Sequence, residues 1–263
     1  MSTISLPTFP CSHVSRNFPV LRPLQLTLKA REYDIPDPEL SKLGLQQCEE
    51  LREHLREEQP LAEKVEMIVA SPMVRTLQTA LVGLSWLIEK GVKVELDPMW
   101  QECSDKPCDT GSPVSQLANR FPQLSFDTVD HAYPAKPRDS IYGFTSRAVV
   151  ARGQACLKSL YPRKEKAVAV VSHSGFLRTA VSHTKYANAD YRIFDFSPDS
   201  SLKDPELVEW EYTAENGGGM GKSEKGRAEI VEGDFPPEEE LKEVGEQMGN
   251  NTSREAANEV PSS

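Results

Sequence analysis

The 263-residue chain has no uninterrupted apolar run near the roughly 18 residues that a membrane-spanning helix needs. No membrane partner is therefore expected. Cysteine is scarce: five residues, at positions 11, 48, 103, 108 and 156, with no C-x-x-C spacing. So small and odd a set argues against a disulfide framework and against the common zinc arrangements, and it fits a reducing compartment. Cys103 and Cys108 read as free thiols. Acidic residues are missing from Met1 to Ala30, where Arg16, Arg22 and Lys29 lie among serines and threonines. That composition hints at an organelle-targeting peptide, but four prolines (Pro7, Pro10, Pro19, Pro23) oppose the amphipathic helix such peptides form. A continuous apolar signal core is also lacking, so the expected location is the cytoplasm, with the nucleus open. Aromatic–basic patches are absent, and the net charge is −10. Nucleic acid is therefore not an expected partner. No internal repeat is visible.

The sequence is 38% hydrophobic, enough for one sizeable core. Residues 214–263 hold 12 acidic and 5 basic side chains, which puts −7 of the charge there and leaves −3 for residues 1–213. Composition divides the chain into an atypical, poorly ordered segment 1–31, a folded domain 32–213 and a disordered acidic tail 214–263. Leu40, Leu43, Gln47, Cys48, Leu51 and Leu55 recur at helical spacing behind a Ser41 cap. A second helix is expected from about Pro72 to Glu89, stopped by Gly91, and a third from Phe144 to Tyr161, stopped by Pro162. Strand-like runs occupy 65–70, 92–96, 167–171 and 207–212. Helices alternating with strands at these lengths predict a three-layer α/β/α sandwich around a mostly parallel sheet.

Two strand ends carry the chemistry. Val65–Ala70 runs into Ser71-Pro72-Met73-Val74-Arg75-Thr76-Leu77-Gln78-Thr79-Ala80. Ala167–Val171 runs into Ser172-His173-Ser174-Gly175. One turn delivers a guanidinium, whose planar fork suits phosphate, and the other an imidazole. Together they predict an anion site at the carboxyl edge of the sheet.

These segments resemble the S-P-x-x-R-x-x-Q-T-A and S-H-x-G landmarks of the histidine phosphatase superfamily, the phosphoglycerate mutase-like fold. Pro38-Glu39-Leu40-Ser41-Lys42-Leu43-Gly44-Leu45-Gln46-Gln47 resembles the family's P-x-L-T-x-x-G-x-x-Q, and Trp100-Gln101-Glu102 its L-x-E segment. Pro107-Cys108-Asp109-Thr110-Gly111-Ser112 is similar to the fungal and plant-like branch. The resemblance implies Arg75 and His173 as phosphate-binding groups, His173 acting as an imidazolium, and Glu102 as the proton donor, with Asp105 and Asp109 as reserve acids. It implies a small phosphorylated substrate, no cofactor and no metal. Glutamate can serve as a general acid only if burial or neighbouring carboxylates raise its pKa. His13, His54, His131 and His183 stand in no motif.

The resemblance also implies a histidine nucleophile in an R-H-G or R-H-A motif at the end of the first strand, and this chain has neither. The region expected to match, Phe18 to Leu24, carries two prolines where a central strand donates hydrogen bonds. The first strand is therefore expected to be missing or altered. Two readings stay open: a phosphomonoester phosphatase domain whose nucleophile strand lies outside this sequence, or a pseudophosphatase that binds phosphate ligands or acts as a scaffold.

Overall fold

Six strands form one sheet in the computed structural model, which describes the backbone of Ser2–Thr8 together with residues 34–229, 235 and 236. In chain order the elements begin with β1 (Ser2–Thr8), α1 (Lys42–Glu58), β2 (Val65–Ala70), α2 (Val74–Gly83) and α3 (Ser85–Glu89). There follow β3 (Lys93–Leu96), α4 (Val114–Arg120), α5 (Ser146–Leu160) and β4 (Ala167–His173). A helical turn, Ser174–Phe176, then passes into a π-helical stretch, Leu177–Val181, before β5 (Arg192–Phe196), β6 (Leu207–Glu209) and α6 (Glu211–Asn216).

The sheet order is β3-β2-β4-β1-β5-β6. The first four strands of that order are parallel, and β5 runs antiparallel to both β1 and β6. Alternation along β4 shows the layering. Ala167, Ala169 and Val171 pack with α1 and α2 on one face, while Val168 and Val170 pack with α5, Trp100 and Phe176 on the other. A central strand buried on both faces is an unbroken apolar run, as Ala167–Val171 is. The α/β/α fold class expected from the sequence is the one observed.

Three expectations change. The first strand is not missing from the sheet: Ser2–Thr8 fills the slot between β4 and β5, with Thr8 opposite His173. Its pairing with β5 stops at Ser5, so Pro7 lies beyond the part of the strand flanked on both sides. Phe18–Leu24 lies outside the described residues, as does His13. The expected Pro72–Glu89 helix begins at Val74 and breaks at Leu84, where the backbone leaves helical values.

Residues beyond 213 also pack against the domain. Asp190, fully buried, accepts hydrogen bonds from Met220 N (2.9 Å), Lys222 N (3.1 Å) and Ser223 Oγ (2.7 Å). Ala228 N donates to His183 O at 2.8 Å. A glycine-rich stretch reads as a linker in sequence, but here glycine allows close approach. A Cβ on Gly218 would lie 2.1 Å from the Asp190 carboxylate, and one on Gly219 1.9 Å from the Tyr191 ring. The acidic sequence beyond residue 236 lies outside the described residues.

Candidate active site

The Ser71–Ala80 motif divides into Arg75, the candidate phosphate-binding group, and a scaffold that positions it. Ser71 N bonds Val171 O at 3.0 Å, tying the end of β2 to the neighbouring end of β4. Thr76 Oγ1 donates to Ser71 O, Gln78 Oε1 accepts from Leu40 N at 2.7 Å, and Thr79 Oγ1 donates to Arg75 O at 2.9 Å. Asp37 caps the helix from a distance, accepting from Val74 N (2.9 Å) and Ser112 N (2.7 Å). It thereby joins the α2 N-terminus to the loop after β3. Arg75, only 3% exposed, donates from Nη1 to Cys108 O (2.7 Å) and from Nη2 to Asp109 Oδ1 (3.1 Å). Its buried Nε has no hydrogen-bond partner among the described residues.

His173 ends β4 fully buried, with Nε2 2.9 Å from Ser71 Oγ. Glu102, half-buried in the loop after β3, accepts Cys103 N through Oε1 at 2.9 Å and lies against Gly175. A Cβ at position 175 would come within 2.6 Å of Glu102 Oε1, so glycine there makes room for the carboxyl group. Burial first, and then the Asp109 carboxylate, push the Glu102 pKa upward. Arg75, the Cys103 amide and Lys136 act in the opposite direction without reversing the shift. Asp109 is fixed from two sides, by Arg75 and by Ser104 Oγ at 2.6 Å. Asp105 is exposed.

Two cations that no motif announces complete the site. Lys136 Nζ donates to three carbonyls at once, those of Glu102 (2.8 Å), Ser104 (2.6 Å) and Asp109 (2.7 Å). It thus holds the loop that carries both acids. Burial and the nearby Arg152 lower its pKa to about 7. Arg152, fully buried on α5, reaches Glu102 O at 3.3 Å and stacks over the Phe176 ring at 4.2 Å. Neither residue stands at a strand tip, so only the tertiary fold reveals them. His54 bonds Tyr191 OH, His131 is exposed, and His183 pairs through its backbone with Ala228; none is among the groups converging here.

Burial, then Arg75, Lys136 and Arg152, hold the His173 pKa well below the ordinary value. A bound dianion would reverse that field and raise the pKa. Phosphate binding near pH 7 should therefore take up a proton. Calorimetry in buffers of different ionisation enthalpy should show this uptake in the wild type and a smaller one in His173→Gln, the remainder belonging to Lys136, whose pKa is lowered to about 7. A binding enthalpy independent of buffer in the wild type would refute it.

A small cavity of about 200 Å³ is lined by Glu102, Asp109, Gly175, Arg178, Thr179 and Phe235, among others. A larger one, of about 450 Å³, adjoins it through Gly175 and Arg178. Among the described residues no group of three or more His, Cys, Asp or Glu side chains could hold a metal ion. No helix there is long and apolar enough to cross a membrane.

A model of the histidine phosphatase superfamily (branch 1) matches residues 26–214. The chain belongs to the histidine phosphatase superfamily. Its relatives within that superfamily include an Arabidopsis thaliana phosphoglycerate mutase-like protein, 32% identical over 180 residues, or 57% of this chain and 64% of that protein. Another is the Schizosaccharomyces pombe protein called Probable phosphatase SPAC513.02, 32% identical over 146 residues, or 54% of this chain and 65% of that one. The match thus spans less than two thirds of each relative's own length. Among solved structures, the ecdysone phosphate phosphatase of Bombix mori in complex with tungstate aligns with a TM-score of 0.48 and 18% identity, over 79% of this chain and 91% of that one. The histidine phosphatase motifs noted above all fall within the matched residues.

Proposed function

We propose that this chain binds the phosphoryl group of small phosphomonoesters at the ends of β2 and β4. Arg75 is the clamp, His173 lies beside the bound anion, and Glu102 protonates the leaving oxygen. The observation that supports this reading most is the convergence of a buried arginine with an unused Nε, a buried histidine and a carboxyl group with a raised pKa. In the empty site Asp109 and Cys108 O occupy the Arg75 fork, so a phosphoryl group displaces or shares these partners.

In the covalent route of the superfamily, a histidine nitrogen forms a bond to phosphorus while the bond to the alcohol oxygen breaks. The acid gives that oxygen its proton, and water then cleaves the phosphohistidine while returning a proton to the carboxylate. Ser2–Thr8 contains no histidine, so this chain holds the substrate and hydrolyses it very slowly: it functions as a phosphate-ligand binding protein with the remains of a phosphatase site. A second reading rests on the register of β1. Thr8 stands opposite His173, and His13 follows five residues later, within about 17 Å of extended chain. In that reading His13 is the nucleophile.

Vanadate titration by calorimetry tests the site. Arg75→Ala should weaken binding by about 1.5–3 kcal/mol, the worth of a charge-assisted hydrogen bond in a buried site. Equal affinity in the two proteins would rule out the Arg75 clamp. Acid-quenched trapping of a labelled phosphoenzyme decides between the two readings, since label on His13 would establish an active enzyme.

A further inference from the structure

We propose that the cavity between α5, residues 181–183 and residues 204–207 is a second ligand site, and that it takes a small zwitterion with an apolar body, of the α-amino acid class. The proposal does not depend on the phosphoryl site described above.

This cavity has a volume of about 240 Å³ and shares no lining residue with the two cavities beside Gly175. That lies just under the roughly 300–1,000 Å³ of drug-sized sites, so a ligand of amino-acid size suits it. Leu157, Val181, Pro205 and Leu207 supply the apolar part of the lining. The charged part comes from two separate stretches of chain. Arg227 lies beside His183, whereas Asp204 and Glu206 belong to the turn that leads into β6. Among the described residues no ion pair joins Arg227 to either carboxylate. Burial, and then Arg227, hold the His183 pKa below the ordinary value, so its imidazole adds a neutral hydrogen-bonding group. A lone anion would meet two carboxylates here, and a lone cation a guanidinium. A ligand carrying both signs avoids both penalties, which is how such a lining selects.

Backbone contacts fix both stretches. An isolated β-bridge pairs Thr184 with Arg227, next to the bond from Ala228 N to His183 O. These contacts hold His183 at φ 54°, in the left-handed region that residues other than glycine seldom adopt. Strain of this kind persists only where the surroundings enforce it, and it gathers at ligand sites. On the carboxylate side, Ser197 N donates to Glu206 O at 2.8 Å and Glu206 N to Ser200 Oγ at 2.9 Å, which closes the turn. His183, Asp204 and Glu206 do not gather closely enough to ligate a metal ion, so the lining suits an organic ligand.

Calorimetric titration of the full chain with L-leucine, 4-methylpentanoate and 3-methylbutylamine tests the site. The two relatives of leucine each keep one of its charges and nearly the same apolar body. Leucine should bind about tenfold more tightly than either, the worth of one charge-assisted contact in each comparison. Arg227→Gln should bring leucine down to the level of 3-methylbutylamine. Asp204→Asn combined with Glu206→Gln should bring it down to the level of 4-methylpentanoate. All three side chains belong to exposed residues, so these variants should fold, and an unchanged thermal unfolding midpoint checks that they do. Arg75→Ala should leave leucine affinity as it is, which separates this site from the phosphoryl site. The proposal is overturned if leucine shows no binding at about 10 mM, if either relative binds as tightly as leucine, or if the folded variants keep the wild-type leucine affinity.

Discussion

If the chain is the phosphate-binding protein proposed above, Pro7→Arg, Thr8→His and Phe9→Gly together are expected to raise hydrolysis of an aryl phosphate by about a thousandfold or more, since supplying a nucleophile is worth several orders of magnitude. The register of β1 chooses the positions. Thr8 is the residue of β1 paired with His173 at the end of β4, so a histidine there enters the sheet edge beside the clamp. Under the proposed reading Arg75 and His173 bind the phosphoryl group, and Glu102, whose pKa is raised by burial and by Asp109, is the proton donor. Replacing Pro7 also restores a backbone donor next to Ser172. The measurement is steady-state turnover with acid-quenched trapping of labelled phosphohistidine at position 8. A folded triple variant with no label and no gain would mean that the pocket cannot support covalent phosphoryl transfer.

Chain termination offers the second large effect. A chain ending at Glu229 should unfold at nearly the same denaturant concentration as the full chain, whereas one ending at Thr213 should lose about 3–5 kcal/mol or fail to fold. Removing one partner of a buried charge leaves the other uncompensated in a low-dielectric interior. Asp190 would lose Met220, Lys222 and Ser223, and Arg192 would lose Glu224 O. Urea titrations of the three proteins provide the comparison. Equal stability of the shortest chain would mean that the Gly217–Ala228 stretch merely rests on the surface.

Much of the fold was legible because local rules and packing agreed. Ser41 caps α1 by accepting Gly44 N at 3.1 Å, Thr145 caps α5 by accepting Ala148 N at 3.2 Å, and the apolar run of β4 is buried on both faces. The Arg75 and His173 segments were legible as strand ends, and the structure brings them to adjacent strands. β1 was not, since Ser-Thr-Ile-Ser-Leu-Pro-Thr alternates weakly and contains a proline. β5 was missed as well: Arg192 and Asp195 interrupt a five-residue strand, and their partners lie elsewhere in sequence, at Glu209 and Trp210. Lys136 and Arg152 are charged residues in polar surroundings of sequence, and only folding buries them beside Glu102. The glycine run after Asn216 misled for a physical reason. Glycine gives freedom to a linker, but it equally lets a backbone press against a buried aspartate and a tyrosine ring.

The two halves of the site are held in place by different kinds of contact. All seven residues of β4 are buried and its neighbours β1 and β2 pair along its length, so its amides reach solvent only when the whole domain opens. His173 is the last residue of that strand and shares its rigidity. Glu102 and Asp109 belong instead to a loop held by side-chain bonds, chief among them the three from Lys136. An ammonium has three hydrogens to give and a neutral amine has two, so losing one proton frees one of those carbonyls. The imidazole is thus fixed by backbone pairing along a whole strand, and the carboxyl groups by one ammonium and its three hydrogen bonds.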